Sequence, residues 1–140
     1  MIGQSILRTV VKLLIPYVLL FALYVQFHGD FGPGGGFQAG VIVATGFILY
    51  SLIFGEATAR RAISLPLVER LTALGVLIYA GVGVASMVAG GKFLDYGALT
   101  PHHPEHGQHL GIMLVELGVG ITVAAVITTI FFTFVARNRA

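Results

Sequence analysis

The chain has 140 residues, 56% of them hydrophobic and 10% charged, with a mean hydropathy of +0.92 and a formal net charge of +2. That balance argues against an ordinary soluble domain and gives no electrostatic basis for binding nucleic acid. Cysteine is absent, which removes disulfides and thiolate metal sites. The expected class is all-α integral membrane: four transmembrane helices, at about 6–27, 36–54, 67–89 and 110–135, in a single membrane domain covering residues 1–140.

The first apolar segment, from about Ile6 to Phe27, carries Arg8 and Lys12 one turn apart near its start and Pro16 farther along. Both cations are expected to snorkel toward the headgroups, the alternative for Lys12 being a buried cation on a proton path. Pro16 is expected to kink the helix or mark a close neighbour. No small-x-small cleavage site follows, so a cleavable leader is not expected.

The next stretch, HGDFGPGGGFQAG, runs from His28 to Gly40 and holds five of the nineteen glycines within nine residues, beside Pro33. Such a run specifies a particular backbone path, here a tight turn entering a helix. The second segment follows at once, and Gly36, Gly40 and Ala44 form a small-xxx-small ridge along it. Residues 55–66 read as a polar connection with Arg60 and Arg61, and the third segment opens with Glu69 and Arg70. A long loop from Gly90 to about Gln108 carries His102, His103 and His106, with His109 just beyond, and the last segment contains Glu116.

Sorted onto alternate sides, Arg8, Lys12, Arg60, Arg61, Arg70, Arg137 and Arg139 share one side and Lys92 alone takes the other. The positive-inside rule then places both termini in the cytoplasm.

Glu116 is the sharpest polar signal, because no charge flanks it for several turns in either direction. A carboxylate in the membrane costs about 2.5–3.5 kcal/mol on insertion scales, so it must be protonated, paired or facing water. It reads either as a proton or cation relay or as a structural hydrogen bond to a neighbouring helix. His109 precedes it by seven residues, two turns, on the same face. Gly111, Gly118, Thr122 and Ala125 lie on a different stripe, suited to helix packing.

The four histidines have ligand-like spacing, but Pro101 and Pro104 interrupt a regular array, and solvated loop residues are the plainer account. A bis-histidine haem would need facing ligands such as His28 and His109. The expectation is therefore no metal and no cofactor. GPGGGF is not a nucleotide loop, since no Lys-Ser/Thr follows and no strand precedes it. Its helix N-terminus has free amides that can receive a carboxylate such as Asp30. Either it packs and caps, or it forms a constriction on an ion path.

The stretch from Tyr24 to Tyr50, YVQFHGDFGPGGGFQAGVIVATGFILY, resembles the MnhB-like domain, a small membrane component of the Mrp-type multisubunit cation/proton antiporters that is also found in membrane-bound hydrogenases. GQHLGIMLVELGVGITV, from Gly107 to Val123, is similar to the same family's last helix with its intramembrane glutamate. The resemblance implies a small all-helical transporter subunit, not an enzyme, in a multi-pass arrangement in a prokaryotic plasma membrane. Its implied partners are large subunits similar to the antiporter-like subunits of respiratory complex I and other small membrane subunits. Na⁺ and H⁺ are the implied transported ions. Ion-path candidates are then Glu116, His109, His28, Asp30 and Lys12, and Pro33, Gly34, Gly35, Gly36, Phe37 and Gly40 form the structural motif. The alternative is a purely structural scaffold of a respiratory-type or hydrogenase membrane complex.

Overall fold

A computed structural model describes residues 2–29 and 32–137. Among them are five α-helices, α1 (Ile2–His28), α2 (Gly36–Phe54), α3 (Glu56–Ala62), α4 (Leu65–Val88) and α5 (Pro104–Arg137), and no strand. All but α3 are long and apolar enough to cross a membrane. With every backbone bond made inside the segment, helices of this length satisfy the main requirement of a hydrocarbon environment.

The four long helices stand in the order α1, α2, α5, α4, with α2 between α1 and α5, and α5 between α2 and α4. Helix α1 barely touches α5 and is the least enclosed of the four. It runs unbroken through Pro16, whose missing N–H deprives the Lys12 carbonyl of its intrahelical partner. Lys12 itself is exposed on the outer face of α1.

Small residues set the spacing between α5 and its neighbours. On one side, a Cβ at Gly36 would collide with the backbone carbonyl of Glu116, and one at Gly40 would lie 2.7 Å from the carbonyl of Gly120. On the other, a Cβ at Gly118 would lie 2.8 Å from the Gly75 carbonyl, while one at Gly75 would strike the Thr122 hydroxyl. The Gly36–Gly40 ridge is thus spent inside the chain, on α5, and backbones approach closely along both seams. Threonine hydroxyls in the spans, and that of Ser86, bond back to their own helix: Ser86 donates to the Val82 carbonyl at 3.0 Å, Thr122 to Gly118 at 2.9 Å and Thr128 to Ala124 at 2.7 Å.

Two features differ from the expected layout. Within the polar connection, residues 56–62 form a short helix of their own, entered through Gly55 at φ 92. Arg60 binds Glu56 at 2.7 Å one turn back and lies 4.8 Å over the ring of Phe132, which fastens α3 to the end of α5. The last helix begins at Pro104, six residues before Leu110, because proline is well suited to a helix's first position and His106 and His109 then fall within the first turns. The intervening loop folds down on the helices: the Tyr96 ring lies against Gly111, Phe93 against Gly83, and Phe93 meets Tyr79 edge-on at 6.4 Å. Burial, and then the Tyr79 phenol, push the Tyr96 hydroxyl above its ordinary value, so it stays neutral across the physiological range.

The seams make a direct prediction. Gly36→Ala and Gly75→Ala must separate backbones and should each destabilise the purified protein by about 1–3 kcal/mol. Gly81→Ala, with nothing within 4 Å of the added carbon, should be neutral or stabilising by about 0.5–1 kcal/mol. Thermal unfolding of the three variants in detergent, followed by circular dichroism, checks the ranking.

Candidate functional site

The turn between α1 and α2 is built by closing α1 on the loop that follows it. The Gly32 amide donates to the His28 carbonyl at 3.2 Å, and the Gly35 amide to the Val25 carbonyl at 3.0 Å, so loop amides satisfy the last carbonyls of α1. Gly35 takes φ 120, a conformation that side-chain-bearing residues resist, and its own carbonyl receives the Ala39 amide at 3.1 Å to start α2. At Gly34 an added carbon would lie 2.8 Å from the Val25 carbonyl, so the loop lies almost against the helix it has left.

Into this turn α5 inserts Glu116. A Cβ at Gly29 would collide with the Glu116 carboxylate, lying 2.6 Å from Oε2, and one at Gly35 would lie 2.8 Å from Oε1. Together with the Glu116 carbonyl against Gly36, both the backbone and the side chain of this residue occupy room that three glycines leave open. Glu116 is half-buried. Its carboxylate lies beside the N-terminus of α2, where unpaired amides and the helix dipole favour a negative charge by about 0.3–1 kcal/mol in exposed settings and up to ~2 when partly buried. The stripe on which Glu116 lies is therefore itself a packing seam, continued by Gly120, and not a face clear of helix packing.

The other candidate residues are distributed around this point. His109 is exposed two turns earlier on α5, about 10 Å along the axis. His28 is half-buried, stacks on Tyr24 with 5.1 Å between ring centroids, and turns Nε2 toward Gly32. Asp30 lies outside the described residues. Lys12 is near the opposite end of α1, exposed, and not part of the cluster. Of the motif residues, Pro33 and Phe37 are exposed, Gly34 is half-buried, and Gly35, Gly36 and Gly40 are buried.

His102, His103, His106 and His109 are all exposed, and the rings of His103 and His106 stack at 5.5 Å. Among the described residues no three His, Asp or Glu side chains converge in a way that would hold a metal ion.

One residue at the site was not singled out by sequence. Gln26, one turn before Gly29, is 92% buried and reaches from α1 across α2, placing its side-chain oxygen 2.6 Å from where a Cβ on Gly120 would be. Its signal was a lone amide in an apolar run, seven residues after Leu19 and on the same helical stripe.

The sequence has counterparts among known proteins. Residues 6–129 match the family model described as "Domain related to MnhB subunit of Na+/H+ antiporter". A protein of Staphylococcus haemolyticus named "Putative antiporter subunit mnhB2" is 35% identical over 130 residues, covering 91% of this chain and 92% of the relative. A protein of the same name in Staphylococcus aureus is 37% identical over 134 residues, covering 94% of each. The glycine turn and Glu116 fall within the matched region, and the chain belongs to the family of domains related to the MnhB subunit of Na⁺/H⁺ antiporters.

Proposed function

We propose that this protein is a membrane subunit of a multisubunit antiporter that exchanges Na⁺ for H⁺, and that Glu116 is its ionisable group on the ion path. The observation that carries the second part is the contact of the Glu116 carboxylate with Gly29 and Gly35. A carboxylate held at a helix N-terminus by a backbone that has been stripped of side chains is positioned, and a positioned carboxylate can exchange a proton or pair transiently with a cation. His109, two turns away on the same face, is the nearest candidate on α5 to relay protons to it, with His28 at the end of α1 and Asp30, next but one in sequence, as further candidates. Lys12 is assigned to the headgroup region at the other end of α1.

The same reading places both termini in the cytoplasm of a prokaryotic cell, the plasma membrane being the host bilayer. Its support is the distribution of cations: Arg8, Lys12, Arg60, Arg61, Arg70 and Arg137 lie at one end of the bundle and Lys92 at the other. Partners are the other antiporter subunits, large ones similar to those of respiratory complex I and small ones like this chain. A scaffold role has its own support, since the Gly36–Gly40 and Gly75–Gly118 seams would hold the fold together whatever Glu116 does.

Three measurements test this reading. In the intact complex, Glu116→Gln should lower Na⁺/H⁺ exchange at least tenfold, about 1.4 kcal/mol or more in the limiting barrier, while the complex still assembles on a native gel. Undiminished exchange would leave only the scaffold role. Gly29→Ala, which displaces the carboxylate without asking for a forbidden backbone angle, should reduce exchange by about tenfold at unchanged assembly. Because the chain lacks cysteine, Lys92→Cys and Arg61→Cys report topology directly. A membrane-impermeant maleimide added to whole cells should label the first and not the second.

A further inference from the structure

Between α1 and α5, with α2 as its floor, runs an open apolar groove of about 570 Å³. Its α1 wall is the stripe of Ile15, Leu19, Ala22 and Gln26, and the other lining residues mix small ones, Gly40, Gly46, Gly120 and Ala124 among them, with large ones such as Phe47 and Ile121. From Ile15 to Gln26 the wall rises eleven residues, about 16 Å or three helical turns. Its one side-chain amide is that of Gln26. It is 92% buried, it lines the groove, and its amide forms no hydrogen bond among the described residues. The Thr128 hydroxyl, also on the groove, is already used by the Ala124 carbonyl.

We propose that this groove seats a transmembrane helix of a companion subunit, and that this helix presents a hydrogen-bonding side chain to Gln26. Two properties select this occupant. An amide buried in hydrocarbon without a partner is costly, and an acyl chain offers it neither donor nor acceptor. Gly40 and Gly46 on the floor, with Gly120 and Ala124 beside them, let a second backbone approach to packing distance, which a lipid tail does not require. The thin contact between α1 and α5 has the same explanation, because a helix inserted there completes the layer that α1 and α5 leave open. The inference rests on the antiporter-subunit reading, which supplies companion subunits, and it goes beyond that reading by naming the surface and its polar anchor.

The test uses the protein purified from its host membranes with its companions. A photo-crosslinking benzoylphenylalanine at Leu23, on the groove, is compared with one at Leu77, an exposed residue of α4 away from it. The groove position should give several-fold more adduct, mapped by mass spectrometry to a transmembrane helix of a co-purified companion. Gln26→Leu should lower recovery of that companion by about three- to twentyfold at unchanged helical content. Adducts on phospholipid, on a second copy of this chain, or in equal yield from both positions would overturn the inference, as would unchanged recovery with Gln26→Leu. Such results in a complex that co-purifies intact leave the antiporter reading standing. A chain that purifies without companions removes both.

Discussion

Glu116 and the N-terminus of α2 occupy nearly the same place, and they can do so only because residues 29, 35 and 36 carry no side chains. Much else follows from that contact. It fixes the level at which α5 meets α2, so that Gly120 falls opposite Gly40 and Phe132 reaches Phe47, edge-on at 5.8 Å, nearer the other end. It draws the end of α1 in as well, since the Gly35 amide is held by Val25 and Gly29 lies against the same carboxylate. Three helices are thereby joined at a point where the polar group and the close packing are one feature. A carboxylate on an apolar helix is ordinarily a cost. Here the turn supplies helix-terminal amides and an absence of steric bulk together, which is how an ionisable group is kept at membrane depth in a defined position.

The opposite end of the bundle is organised by different means. Arg60 reaches Glu56 and Phe132, so α3 is tied to α5 through this one side chain, and the other cations of this end are exposed. Between the two ends the threonine hydroxyls and that of Ser86 bond back to their own helix, a solution that needs no second helix and marks no site. Against that background Gln26 and Glu116 stand apart. Both are long polar side chains at the junction of α1, α2 and α5, and both reach across to a neighbouring helix or turn.

What the sequence made legible was whatever depends on composition and on single residues. Four spans, the tight turn at Gly34–Gly36 and the isolation of Glu116 could be read because apolar run length, glycine density and a lone charge are local properties. Relations between segments were harder. The Gly36–Gly40 ridge was legible as a packing surface, but spacing alone does not say whose backbone it receives, and the structure gives it to α5 of the same chain. The helical character of residues 56–62 was hidden by their polarity, though Glu56 and Arg60 at four-residue spacing are a helix-compatible pair. The early start of α5 was hidden by the histidines, which read as loop while Pro104 at the first position favours a helix. Gln26 carries no distinct signal in the sequence because one amide in a span is ordinary; only the three-helix junction makes it unusual.

The enclosure of the helices bears on what kind of object this chain is. Only 11% of the α1 span and 28% of the α2 span are buried within the chain, so large apolar side chains such as Leu13, Leu20 and Leu77 face outward. In a bilayer this carries no hydrophobic penalty, since lipid tails are as apolar as leucine, and association must come from close packing and hydrogen bonds. Specific contact with a neighbour is therefore to be sought where small residues and an unsatisfied polar group coincide, and not where leucines are most exposed. The α1–α5 groove meets that criterion, whereas the leucine-rich outer faces of α1 and α4 do not. It also connects the two roles weighed for the chain. Gln26 forms the loop-side part of the groove wall and reaches Gly120, one turn along α5 from Glu116. A helix docked there would press on the junction that holds the carboxylate. Under the proposed function, assembly and ion exchange would then act on one joint, the contact of Glu116 with the glycine turn.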